Sequence, residues 1–169
     1  IHGREPRASV IRCLRALRER YVDSRTRLLI QAVGASGEPV DRPRGSGSAL
    51  GSYFLSFADP ELSLELGQAV RRELSGSVLG FGVVNEYAAG ESGRGDIDSG
   101  PLVFGWSISA MGFSLGAAKI ARDKTAFREL WRAYRLFGAP HQASGRLHFV
   151  SGGALGDAIL FAMLTAQPA

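Results

Sequence analysis

"GRGDIDSGPLVFGWSISAMGFSLGAA", residues 93–118, is the stretch on which the reading of this chain turns. Two carboxylates, Asp96 and Asp98, stand directly before Ser99–Gly116, a run without a charge. An adhesion tripeptide, a metal loop, a membrane span and the mouth of an active site all compete for it. Arg94-Gly95-Asp96 is a three-residue match with no secretory context. DxDSG lacks the third acidic ligand and distal Glu of a calcium loop, so no metal is expected. As a span the run is near the minimum length, and it carries a GxxxG at Gly112–Gly116. It is built of Gly, Ser and Ala more than of Leu and Ile, which favours a buried helix. That helix is expected to open near Gly100, with Asp98 as N-cap and Pro101 in the first turn. Asp96 is then left for chemistry.

Working outward, the Ser-Gly pair at 99 has relatives. "SGSALG" at 46–51 and "SGGALG" at 151–156 resemble "SGPLVFG" at 99–105, and each opens an apolar run. Before each run stands an amphipathic helix. Val10, Leu14, Leu17 and Tyr21 form the stripe of the first. Leu62, Leu66, Ala69, Val70 and Leu74 form the second, behind Asp59 as cap and Pro60 at the first helical position. Phe127, Leu130, Trp131 and Tyr134 form the third, behind Asp123 and ended by Gly138 and Pro140. Between the two helices of each unit lies a short strand-like excursion: "RLLIQAV" at 27–33, "VLGFGVVNEY" at 78–87 and "RLHFV" at 146–150.

A helix apolar all round must be covered on all sides, whereas one with a single stripe covers only one side. The expectation is therefore an all-α, two-layer α/α toroid, a single domain over 1–169. Inner helices are expected near 46–57, 100–121 and 154–165, and outer helices near 7–22, 60–75 and 123–137.

Composition supports a globular chain: 169 residues, 45% hydrophobic and 21% charged, with 22 glycines, a share well above the usual ~7%. The net charge of +4 is uneven, because residues 1–30 hold eight Arg against Glu5, Glu19 and Asp23. Aromatics are not interleaved with that cluster, which argues for a solvated basic face and against nucleic acid. Cys13, the only cysteine, excludes an internal disulfide and a cysteine-based metal site. No signal peptide is visible, and a cytoplasmic location without a transmembrane span is the expectation.

The segments "GDIDSGPLVFGWSISAMGFSLGAAKIARDKTAFRELWRAYRLFGAP" (95–140) and "RYVDSRTRLLIQAVGASGEPVDRPRGSGSALGSYFLSFADPEL" (20–62) resemble the linalool dehydratase/isomerase-like (α/α)6-barrel family. The likeness is to the C-terminal three of that barrel's six helical hairpins. It implies acid/base lyase or isomerase chemistry on a terpenoid alcohol. Related toroids that act as glycosidases, epimerases and lyases extend the substrate class to a small polyol or sugar. No residue of this chain matches the paired cysteines of the dehydratase/isomerase. The alternative is a non-catalytic binding module, or one completed by a second copy or by an N-terminal half.

In such a ring the excursions gather beside the N-termini of the inner helices, where N–H groups and partial positive charge are free. The residues singled out there are Asp96, Glu86 and His148 for catalysis and Arg44, Tyr87 and Asp98 for substrate contact. Arg44 can hold a carboxylate or pair with Asp41. Asp157, in the first turn of a buried helix, needs a partner. His2 and His141 have no visible context, and no cofactor is expected.

Overall fold

The computed structural model describes residues 6–167; His2, noted above, lies outside them. Helix α1 (Pro6–Ala16) runs on as a π-helical turn, Leu17–Tyr21, and an irregular stretch leads to α2 (Gly45–Leu55). Then come α3 (Pro60–Glu73), β1 (Ser75–Val78) and β2 (Phe81–Val84). β3 (Leu102–Val103), β4 (Trp106–Ser107), α4 (Ile108–Ile120) and α5 (Lys124–Phe137) follow. β5 (Pro140–Ala143), β6 (Arg146–Phe149) and α6 (Gly153–Thr165) close the described chain.

The expected all-α toroid is not what forms. The chain is mixed α/β, 50% helical and 17% strand, with three separate two-stranded antiparallel sheets. The cause lies in three turns. Leu79-Gly80, Phe104-Gly105 and Ser144-Gly145 all sit at positive φ, between +50° and +85°. Such two-residue turns twist the chain back along itself in the sense that antiparallel strands require. The resulting registers are Ser75↔Val84, Leu102↔Ser107 and Pro140↔Phe149. The stretch at 22–43 makes only isolated bridges, Val22↔Leu29, Ile30↔Pro43 and Val33↔Pro39.

The Ser-Gly alignment does not survive either. Ser46 lies in the first turn of α2, Ser99 in a turn nine residues before α4, and Ser151 just ahead of α6. Asp98 caps nothing. The helix expected from Gly100 starts at Ile108, and its N-cap is Ser107, whose hydroxyl accepts from the Ala110 N–H at 3.1 Å. The intervening residues are spent on the β3–β4 hairpin. The caps of the amphipathic helices are as their residues indicate. Asp59 accepts from Leu62 N at 3.0 Å, and Asp123 accepts from Ala126 N at 2.9 Å.

α4 is the centre of the molecule. Ten of its residues are buried, and it packs against α2, α3, α5, α6 and β2. Gly116 makes this possible on the α6 side, because a Cβ there would collide with the Met163 sulfur. The β5–β6 hairpin is pinned to α5 by Phe149, which is 3% exposed and meets Trp131 and Tyr134 edge-to-face at 6.0 and 5.1 Å. α2 and α6 flank α4 and each keeps apolar side chains in solvent: Phe54 is 61% exposed, Leu155 74% and Phe161 71%. Among the described residues no helix is long and apolar enough to cross a membrane.

The Gly116 contact yields a test. Gly116→Val should wedge α4 from α6 and cost about 1–3 kcal/mol by overpacking. Urea unfolding measures it, and a variant as stable as the parent would remove α4–α6 packing from the core.

Candidate functional site

The units differ in one respect. Three residues, 150–152, connect β6 to α6, whereas residues 85–107 lie between β2 and α4. That insertion carries Glu86, Tyr87, Asp96 and Asp98. Its base is closed by the Asn85↔Trp106 bridge and by Glu86 N–H donating to Gly105 O at 3.0 Å.

Glu86 has no exposed surface. Its carbonyl oxygen accepts from Gly45 N–H at 2.8 Å, and its carboxylate accepts from Ser46 N–H at 3.0 Å and the Ser46 hydroxyl at 2.6 Å. Those donors open α2, whose own N-cap residue, Arg44, makes no side-chain cap. Glu86 therefore caps α2 from across the molecule. Gly45 lets it come that close, since a Cβ there would strike the Asn85 carbonyl oxygen. Burial pushes the Glu86 carboxyl above its ordinary range, against the opposing pull of Ser46, Ser107 and Arg44.

Arg44 follows the same helix end outward. Its guanidinium pairs with Asp41 at 2.6 Å and with Asp96, and lies 5.8 Å from the centre of the Tyr87 ring. The side chain is 15% exposed, and its Nε is buried without a hydrogen-bond partner among the described residues. Burial disfavours the charge, but Asp41, Tyr87 and Asp96 outweigh it and hold the guanidinium protonated.

Asp96, and not Asp98, is the carboxylate that accepts backbone N–H groups here. Its Oδ1 accepts from Asp98 N at 3.0 Å and Ser99 N at 2.9 Å, while Oδ2 faces Arg44. The Ser99 N–H, and then Arg44, hold its carboxyl below the usual carboxylate range. The side chain still keeps 37% of its surface in solvent. Asp98 is exposed, and its carboxylate has no hydrogen bond or ion pair among the described residues. Buried Ser99 joins the two carboxylate regions: its hydroxyl accepts from Asp96 N at 2.9 Å, and its carbonyl accepts from the Ser107 hydroxyl at 2.9 Å.

Tyr87 stands between this cluster and a depression of about 330 Å³. Its hydroxyl donates to Arg94 O at 3.0 Å. Glu73, Asn85, Glu91, Leu102 and Phe104 line the depression with it. A wider groove of about 610 Å³ at the α4–α5 turn is lined by Lys119, Arg122, Lys124 and Arg128. It shares no residue with the carboxylate cluster.

The structure thus brings Arg44, Glu86, Tyr87 and Asp96 together and leaves His148 out. His148 lies on β6, where its Nδ1 is 2.9 Å from Asp157 Oδ2. Asp157 finds its partners there, accepting also from Phe149 N at 2.9 Å. His141 is the cross-strand neighbour of His148. Among the described residues no group of three or more His, Cys, Asp or Glu is placed to hold a metal ion. Ser107 was not legible as part of the site. Phe104-Gly105, an X-Gly pair between two short apolar runs, was the available signal for the hairpin that carries Phe104. No family model matches the chain, and no curated protein matches it.

The Glu86 shift has a definite sign. A carboxyl raised in the folded state means that the folded protein binds more protons than the unfolded one, so stability falls as pH rises from the ordinary carboxylate range through the raised value. Glu86→Gln should remove that fall, with its amide donating to the Ser46 hydroxyl. Urea midpoints of parent and variant between pH 4 and 8 should diverge in favour of the variant as pH rises. A pH-independent difference would show that Glu86 does not titrate in this window.

Proposed function

We propose that this is a catalytic-type domain acting by acid/base chemistry on a small neutral molecule, as a lyase, isomerase or hydrolase. The carrying observation is Asp96, an ionised carboxylate oriented by two backbone N–H groups and a buried arginine, yet left partly open to solvent. A carboxylate kept unprotonated is in the state that can take a proton in a transition state, and its lowered pKa makes it a weak base that works through position. Arg44 positions it, and exposed Asp98 is the second carboxylate of the pair. Glu86 is closed to any ligand, so its contribution is to hold the helix from which Arg44 projects. The resemblance of the GDIDSG turn to the dehydratase/isomerase-like family points the same way.

Asp96→Asn keeps the oxygen that the turn needs and loses the charge. Incubation with a mixture of sugars, polyols and terpenoid alcohols, followed by mass spectrometry, should show turnover of at least one component. That turnover should fall about 100-fold or more in Asp96→Asn, a loss typical of a missing general base, with the variant still folding cooperatively at a melting temperature lowered only by the lost Arg44 pair, since Asp41 still holds Arg44. An Asp96→Asn variant as active as the parent, or a panel left untouched, would defeat this reading.

A second reading, an interaction module that pairs with a copy of itself, has its own observation. The exposed apolar residues of α2 and α6 lie on helices that flank α4, so one copy offers two apolar edges that can cover each other's. Light scattering should then give twice 18.0 kDa for the parent and a monomer for Phe161→Ser. A monomeric parent would remove this reading.

A further inference from the structure

We infer that the depression beside the insertion takes a neutral polyhydroxylated ligand, a sugar or polyol, laid against Phe104 and Tyr87, and not a terpenoid. It adds a binding surface to the acid/base reading above: Asp96 and Asp98 do not line the depression, and among the described residues Tyr87 alone belongs both to its wall and to the carboxylate cluster. The volume, about 330 Å³, falls within the ~300–1,000 Å³ of small-molecule sites.

The lining selects the ligand by exclusion. Glu73, Glu91 and Asn85 present acceptor oxygens, and no Lys or Arg lines the depression. An anion would find no Lys or Arg among the lining side chains to pair with. A cation would find both carboxylates already engaged, Glu73 with Arg72 at 2.6 Å and Glu91 with Arg42 at 3.0 Å. A hydrocarbon would strip water from those oxygens and offer no donor in return. Hydroxyl groups can donate to the carboxylate lone pairs that the single Arg contacts leave over.

The aromatic side adds an independent observation. Phe104 sits at φ +55° and is 87% exposed. Its φ is the one the β3–β4 turn requires, as Leu79 shows in the β1–β2 turn, and what sets Phe104 apart is a ring left in solvent on the wall of the depression. Its ring is steadied edge-on by Trp106 at 5.6 Å, which leaves the rest of its surface open. Tyr87 is held by its hydroxyl bond to Arg94 O and by Arg44 over its ring. Two fixed rings beside a row of acceptors suit a molecule with polarised C–H groups on its face and hydroxyls at its edge. The negative face of an aromatic ring attracts such C–H groups.

The test uses the full chain with D-glucose, D-galactose, D-mannitol and linalool as separate probes. Binding is followed by saturation-transfer NMR and by tryptophan fluorescence, since Trp106 touches Phe104. At least one saccharide or polyol should bind saturably. Phe104→Ala should weaken it about tenfold, equivalent to ~1.4 kcal/mol, and Glu91→Gln should weaken it severalfold. Both positions are exposed, and unchanged melting temperatures confirm that the variants fold. Saturable, Phe104-dependent binding of linalool with no saccharide bound would overturn the substrate class and leave the acid/base reading standing. Saccharide binding indifferent to Phe104→Ala would place the ligand elsewhere and overturn the inference. No binding by any probe would overturn it too, while the Asp96→Asn turnover experiment decides the underlying reading on its own.

Discussion

The contact between Glu86 and the first turn of α2 is the constraint on which the site depends. Helix starts have N–H groups with no partner inside the helix. At α2 the preceding residue is Arg44, which cannot accept, and the need is met from the end of β2 by one residue's carbonyl and carboxylate together. That docks the insertion onto α2 and sets where Arg44 leaves the helix. From Arg44 the order passes outward to Asp96 and Tyr87. A carboxylate with no exposed surface is costly unless each oxygen is satisfied, and here Ser46 serves both oxygens.

Much of the helical layout was legible. Asp59-Pro60 and Asp123 announce their helices because cap chemistry is local: an acceptor side chain, a first turn, then a stripe. The all-α class failed for an equally local reason. A two-residue hairpin turn is recognised from Asn-Gly or Asp-Gly, residues that tolerate positive φ. Here the first turn residue is Leu79, Phe104 or Ser144. Leu79-Gly80 stands in a stretch that already reads as strand-like, whereas Phe104-Gly105, within an apolar run, looks like the interior of a buried helix. For residues 99–107 that reading cost the position of α4 and the role of Asp98 together.

Of the site, Arg44, Glu86, Tyr87 and Asp96 were singled out because they stand where excursions should meet helix starts. The structure gathers them, though by a different route. Glu86 was named for its acidity and turns out to be used for its geometry. The cap expected of Asp98 fails, because the Asx-type turn forms on the first carboxylate of the pair and leaves the second in solvent. Spacing alone cannot tell these apart: either Asp can cap a turn, and the choice depends on where the backbone reverses. His148 was misplaced by strand alternation. Its neighbour Phe149 turns inward to Trp131 and Tyr134, and His148 is carried to the Asp157 side, where β6 meets α6.

The insertion also explains why the partly open carboxylate, Asp96, and the buried one, Glu86, differ although both lie near Arg44. Glu86 has traded all its water for donors on α2, and burial dominates its titration. Asp96 keeps part of its surface in solvent and gains a backbone N–H and a guanidinium, so burial is outweighed. Two carboxyls driven in opposite directions by their surroundings are the usual arrangement of an acid/base site, but here one of the two is sealed. The sealed residue is the one that orders the helix end, and the open one sits on the loop that the helix end orders. The loop is thus left open to solvent while Arg44, held on buried elements, fixes the position of Asp96. The Phe104 turn belongs to the same division: its backbone is anchored by the Asn85–Trp106 bridge, and only its ring is given to solvent.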